Sequence, residues 1–269
     1  MNPDSPHTQK KPPIPALLLH GFGGDAKEWQ SLLPLLIQSH KLPHRQLLTP
    51  TLPGHGPAPT STQPLLTPTL AHCAHWLKQW LDQSGITRVH LFGYSLGGRI
   101  ALTFAQHYPE YLASLTLEGA HPGLQTQAER QQRQQQDAQW AARFAQQPLA
   151  QVWAAWYQQP LFAELSTEQR QALVAERADA NGPQLAAILS GCSLATQTDL
   201  RPIMAALPCP LHYLFGSDDS RFALIATALA EAVPKLRWQA IDGAGHNAHR
   251  APPAQVAATL NLLWSLADD

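Results

Sequence analysis

Ser95, His246 and the acidic pair Asp218-Asp219 are the residues of this chain whose types and spacing can do chemistry. A serine hydroxyl is inert until a neighbouring imidazole takes its proton. The imidazole in turn needs a carboxylate to fix its tautomer and hold the charge it gains. Ser95 lies in Gly93-Tyr94-Ser95-Leu96-Gly97, after the apolar run Val89-His90-Leu91-Phe92 and before Arg99-Ile100-Ala101-Leu102. That reads as strand, sharp turn and helix, the setting in which Gly-x-Ser-x-Gly exposes a reactive serine. The bland alternative is a plain strand–helix turn. Asp219 is preferred to Asp218 as the acid, because Gly216-x-x-Asp219 puts it one loop beyond a strand end. His246 is preferred to His249, which lies one turn further on and would serve as a helix-surface or supporting residue.

These residues need elements to bring them together. Ala16–Leu19 is a short apolar strand that stops at His20-Gly21-Phe22-Gly23-Gly24. At the carboxyl edge of a parallel sheet such a loop turns backbone N–H groups into the crevice. The Phe22 and Leu96 amides are therefore expected as an oxyanion hole; a glycine loop that merely lets chain segments cross is the alternative. His20 and His55 are expected to be structural. Asp25 should cap the next helix, with Glu28 closing the box and Trp29, Leu32, Leu33, Leu36 and Ile37 on one face. After a strand at Gln46–Leu48, Thr67-Pro68 should open a helix buried through Leu70, Cys73, Leu77 and Leu81. Strands follow at Val89–Phe92, Leu112–Leu117, Leu211–Phe215 and Leu236–Ile241, with helices between them. Such alternation implies parallel pairing with right-handed crossovers, hence an α/β sheet.

The alternation breaks between Glu118 and about Leu200. Gln125–Ala142 is so rich in Gln, Arg and Ala that a disordered linker is an alternative, although Trp140 and Phe144 give it something to pack. Leu149, Val152, Trp153, Trp156 and Tyr157 recur at helical spacing, Ser166 with Gln169 forms a capping box, and Pro183 opens a further helix. Residues 1–120 and 201–269 thus read as an α/β core, and residues 121–200 as an inserted all-helical cap, a lid over the carboxyl edge of the sheet. Three sheet-edge loops then present serine, acid and histidine in the order of α/β-hydrolase triads.

Bulk properties bound the partners. A formal charge of −1 gives no reason to expect nucleic acid or an anionic membrane surface. Cys73, Cys192 and Cys209 are odd in number and widely spaced, which suits buried thiols in a reducing compartment. No signal peptide is legible in Met1–Pro15 and no run could span a bilayer, so a soluble cytoplasmic protein, monomeric or weakly self-associating, is expected.

Four stretches together resemble one family. They are Gly93–Arg99, Glu118-Gly119-Ala120-His121-Pro122-Gly123-Leu124-Gln125, Trp156-Tyr157-Gln158-Gln159-Pro160 and Gly245-His246-Asn247-Ala248-His249-Arg250. They are similar to the 2-succinyl-6-hydroxy-2,4-cyclohexadiene-1-carboxylate synthases of menaquinone biosynthesis, on the α/β-hydrolase fold. The resemblance implies a lyase that eliminates pyruvate from 2-succinyl-5-enolpyruvyl-6-hydroxy-3-cyclohexene-1-carboxylate. Ser95, activated by His246 and Asp219, would act as a base, with no metal or organic cofactor. It also implies substrate contacts from Tyr94, Arg99, Arg133, Trp156 and Arg177. The arginines suit a small polycarboxylate, since their forked donors match carboxylate geometry; a solvated helix face is the ordinary alternative for those in the cap. Ala120, Ala251 and Arg221 depart from the family's usual glycine, acidic residue and lysine. A carboxylesterase or thioesterase using Ser95 as acyl nucleophile shares the same triad, and a non-catalytic binding protein could share the same fold.

Overall fold

The computed structural model describes residues 12–37, 45–56 and 68–268. Six parallel strands form one sheet in the order β2-β1-β3-β4-β5-β6: β1 (Ala16–Leu19), β2 (Leu47–Leu48), β3 (Val89–Tyr94), β4 (Leu112–Glu118), β5 (Leu211–Gly216) and β6 (Arg237–Ile241). Strands β1, β3, β4 and β5 are buried along their whole length, which is why they read as largely apolar runs; the edge strand β6 is mostly exposed. Helices cover both faces. On one side α2 (Leu70–Gln83), α3 (Leu96–His107) and α9 (Ser220–Ala232) contribute Leu77, Leu81, Ile100, Phe104 and Leu229. On the other, α1 (Leu33–Ile37) and α10 (Pro253–Asp268) contribute Leu36, Val256, Leu260 and Trp264 around Trp29 and Phe92.

Between β4 and β5 the described residues hold no strand of the sheet but five α-helices, α4 (Gln127–Gln146), α5 (Leu149–Trp156), α6 (Thr167–Glu176), α7 (Gly182–Gly191) and α8 (Arg201–Ala206), with a 3-10 turn at Pro160–Phe162. The first four share an apolar cluster of their own around Phe144, Val152, Trp153, Tyr157 and Leu185, whereas Met204 of α8 packs into the sheet's core. The Gln-rich stretch is a 20-residue helix. Thr126 and Glu129 form a full capping box at its start, and Asp137, Ala141 and Phe144 bury one side. Among the described residues no helix is long and apolar enough to cross a membrane.

Three local expectations are corrected. Helix α2 begins at Leu70, capped by the Thr69 hydroxyl, which accepts from the His72 amide; Thr67 lies outside the described residues, and Pro68 precedes the helix. Asp25 does cap, but only a 3-10 turn at Ala26–Trp29, and Glu28 does not close a box. Its carboxylate turns inward to Arg177, His249 and Arg250, because three cations compensate its burial better than one cap amide could. Ile37 is 58% exposed, because the helix there is five residues long and too short to present one continuous face.

Candidate active site

Strand β3 ends at Tyr94, and Ser95 makes the turn into α3 with φ +51 and ψ −111. Among the described residues no other non-glycine has positive φ, so the chain stores local strain at the sharp turn that carries the serine. Gly97 permits the turn: a Cβ there would stand 2.2 Å from the Leu19 carbonyl oxygen and 2.5 Å from that of His20. Both are backbone atoms that cannot move aside. The Ser95 amide donates to the Glu118 carbonyl at 2.8 Å, tying the turn to the end of β4.

The three loops meet. Ser95 Oγ lies 3.3 Å from His246 Nε2, and His246 Nδ1 lies 2.9 Å from Asp219 Oδ2. Asp219 also caps α9, its Oδ1 accepting from the Phe222 amide at 3.1 Å, so its second oxygen is aimed at the imidazole by a fixed backbone. Asp218 is exposed and takes the Ser217 hydroxyl instead. The His246 ring is walled by Tyr94, Phe162 and Phe222, and its backbone amide donates to Glu164 of the helical insert. This geometry lets an imidazole draw a proton from a serine hydroxyl while a carboxylate steadies it. Phe22 and Leu96 line the cavity beside Ser95, and among the described residues neither amide is engaged by a protein acceptor.

That cavity has about 680 Å3 of space, its open mouth included. Its walls carry Arg99, Arg133, Arg221, His121, Trp156 and Asp137. Arg99 is buried one helical turn past Ser95; its Nε donates to Gln197 Oε1 at 2.6 Å and its Nη2 to the Cys192 carbonyl at 2.7 Å. Burial, then repulsion from Arg133, brings its pKa down to about 10, so it remains a cation at neutral pH. Arg133 donates to Asp137 at 2.8 Å. Arg221 stands exposed at the mouth, with no salt bridge among the described residues. Three guanidiniums thus face one carboxylate, Asp137, which also accepts the Ser193 hydroxyl. Such an excess of donors suits an anionic ligand.

Tyr94 and Arg177, both expected to contact substrate, do not line this cavity. Tyr94 lies behind the triad, donating its hydroxyl to Asn247 and packing on His249. Arg177 reaches the core from the end of α6, donating to Glu28 at 3.1 Å with Trp153 and Tyr157 beside its guanidinium. Glu28 is the hub of a buried network. It also takes Arg250 Nε at 2.6 Å and faces His249 Nε2 at 3.2 Å, while His249 Nδ1 meets Glu118 at 2.8 Å. Burial opposes the charge on His249, but the field and hydrogen bond of Glu118 and the bond to Glu28 outweigh it and raise its pKa to about 9. His20 is equally buried and has its pKa lowered by burial; it sits under its own loop, between the Gly21 carbonyl and the Leu52 amide. His55 packs on His20 outside the cavity lining.

Comparison with known proteins bears on the chemistry. Residues 15–250 match the family model of the alpha/beta hydrolase fold. A protein of Enterobacter sp. (strain 638) named 2-succinyl-6-hydroxy-2,4-cyclohexadiene-1-carboxylate synthase is 43% identical over 95% of this chain and 94% of its own. One of the same name from Klebsiella pneumoniae is 42% identical over 91% of each. The chain belongs to this synthase family. The structure of MenH from S. aureus superposes with a TM-score of 0.86 at 22% identity, covering 97% of both chains. A thermophilic esterase from Thermogutta terrifontis gives 0.79, also at 22% identity, over 95% of this chain and 91% of that one, which shows the shared fold.

Within the family pattern, Ala120 is fully buried and its carbonyl takes the Tyr213 hydroxyl, while Arg221 faces the mouth of the cavity. From sequence, Gln197 and Asp137 have no role, Glu28 reads only as a cap, and Glu118 is named only as the start of a motif. Glu118 left a trace, a lone charge closing an apolar strand; Gln197 left none.

Proposed function

We propose that this enzyme is the carbon–oxygen lyase that its family's name describes, releasing pyruvate from 2-succinyl-5-enolpyruvyl-6-hydroxy-3-cyclohexene-1-carboxylate in the cytoplasm. One observation carries the reading beyond family membership: Arg99, Arg133 and Arg221 converge on the cavity that holds Ser95 and His246. A substrate with several carboxylates needs those guanidiniums, and an ordinary ester does not.

In this reading residues 121–200 form the cap that closes the site, and His246 draws the Ser95 proton as Ser95 Oγ takes a proton from a ring carbon. Electrons from that C–H bond form the new ring double bond, and the bond to the enolpyruvyl oxygen breaks. The proton is held on His246, whose charge Asp219 balances, until the departing enolate takes it up to become pyruvate and the triad is restored. The Phe22 and Leu96 amides hold the oxygen on which charge builds before the leaving group departs. Serine here is a base within a triad, and no acyl-enzyme forms.

The test is to incubate the purified protein with the enolpyruvyl substrate and follow pyruvate. Release that disappears in Ser95→Ala, with the circular dichroism spectrum unchanged, is the expected result. Absence of pyruvate with rapid p-nitrophenyl ester cleavage would make the protein an esterase.

A further inference from the structure

His121 is a residue of the Glu118–Gln125 motif that this mechanism leaves without a task. It lies three residues past the end of β4 and lines the cavity with Ser95, Arg99 and Trp156. Its ring orientation is fixed locally. Nδ1 accepts the Gly123 amide at 3.1 Å, and Gly123 is held at φ +127 against the Thr198 carbonyl, where a Cβ would come within 2.4 Å. A ring nitrogen that accepts an N–H carries no proton, so the neutral ring has its hydrogen on Nε2. The backbone is fixed as well: the His121 carbonyl takes Gln197 Nε2 at 3.0 Å, and the same carboxamide takes Arg99 Nε at 2.6 Å. One glutamine therefore holds His121 and Arg99 in register.

The charged groups around the ring come from four helices. Arg99 lies on α3, Arg133, Asp137 and Glu129 on α4, Arg201 on α8 and Arg221 on α9. Burial, then Arg221, Arg99, Arg201 and Arg133, push its pKa down to about 3. Guanidiniums offer no acceptor. The two carboxylates nearby are already engaged, Asp137 by Arg133 and Ser193, and Glu129 by Thr126. Among the described residues the Nε2–H has no protein acceptor. That N–H is therefore free to donate to a group that enters the cavity.

We propose that His121 is a substrate-contacting residue that donates its Nε2–H to a negatively charged oxygen of the bound substrate. As a neutral imidazole it forms that bond without giving up its proton at neutral pH, so the substrate oxygen stays anionic. This rests on the polyanion reading of the same cavity. If the oxygen is a carboxylate present throughout, the bond serves binding. If it is the departing enolate oxygen, the bond strengthens as the carbon–oxygen bond breaks and serves turnover.

The experiment has one arm that does not need turnover. Imidazole 15N NMR of the whole protein at neutral pH should show His121 as the Nε2–H tautomer, not titrating between pH 5 and 8, and its Nε2 resonance should move on adding succinate. In the second arm, His121→Phe should lower kcat/KM by about 10- to 100-fold, the scale of a lost hydrogen bond to a charged group. His121→Gln, which can still donate, should recover part of it, and Tm should stay close to wild type in both. The shape of the pH–rate profile should be unchanged, since the lost group does not titrate. A rise in KM assigns the carboxylate, and a fall in kcat the departing oxygen. An Nδ1–H tautomer, a midpoint between pH 5 and 8, no response to succinate, or wild-type efficiency in His121→Phe would overturn the proposal. Wild-type protein that releases no pyruvate would instead refute the lyase reading, with the tautomer and succinate results still deciding the role of His121.

Discussion

The buried pair of His249 with Glu118 makes stability depend on pH in a direction that can be worked out. The folded pKa of His249 is about 9 against an ordinary 6.5. A group whose pKa is raised by folding contributes all its stability below the unfolded value, and loses it as pH climbs to the folded value. The window therefore runs from about pH 6.5 to 9. At about 1.4 kcal/mol per pK unit the loss across it is about 3 kcal/mol. The histidines depressed by burial, His20, His55, His90, His121 and His212, add stability as pH rises to their ordinary 6.5, so the fall due to His249 is read above about pH 7.5, where they no longer contribute. Glu118→Gln removes the largest attraction acting on His249 while leaving Glu28 in place. We predict that urea unfolding of wild type at pH 7.5 and 9 shows stability falling by about 1.5 kcal/mol between them, and that Glu118→Gln shows at most about half that fall. The His249 Cε1 resonance should titrate near pH 9 in wild type. Parallel pH profiles for the two proteins, or a His249 midpoint near 6.5, would refute the reasoning.

Two further outcomes follow from contacts already described. Gly97→Ala should cost about 3 kcal/mol or more, because its Cβ would meet two backbone carbonyls rather than movable side chains; thermal unfolding would show it as a large drop in Tm. Arg99→Ala should lower kcat/KM by the equivalent of about 2–3 kcal/mol, the scale of a lost charge-assisted hydrogen bond, in a steady-state pyruvate assay.

Most of the sheet was legible because β1, β3, β4 and β5 are short and largely apolar, and the Gly-x-Ser-x-Gly and Gly-x-x-Asp spacings with the Gly245-His246 loop put Ser95, Asp219 and His246 just past strand ends. The Gln-rich helix α4 was harder, since its signal lies in the Thr126–Glu129 box and not in hydrophobic spacing. Glu28 shows a different failure. Local rules assign an acid three residues after Asp25 to a cap, but tertiary cations at positions 177, 249 and 250 claim it. Nothing in the spacing of four distant residues announces such a network. Arg177 is hard to read for the same reason: an arginine's type says that it seeks an acid, and the acid beside it in this fold is Glu28.

In the proposed function, what separates elimination from ester cleavage is the charge the cavity can neutralise, and Arg221 tests that separation most cleanly. Arg99 braces Gln197 and Cys192, and Arg133 holds Asp137, so replacing either disturbs the wall as well as the field. Arg221 is exposed at the mouth and holds no salt bridge among the described residues, so its removal should change little but charge. We predict that Arg221→Gln lowers kcat/KM for the polycarboxylate about 10-fold, one charged contact at a partly screened site. Slow cleavage of neutral p-nitrophenyl acetate, which would need only Ser95, His246, Asp219 and the two amides, should hold near the wild-type rate. The deficit toward the polycarboxylate should also shrink as salt is added, because screening weakens an exposed guanidinium in the wild type too. Equal losses on both substrates would mean that Arg221 supports the triad through its neighbour Asp219. The arginines would then be scaffolding, and the case for a polyanionic substrate would rest on family membership alone.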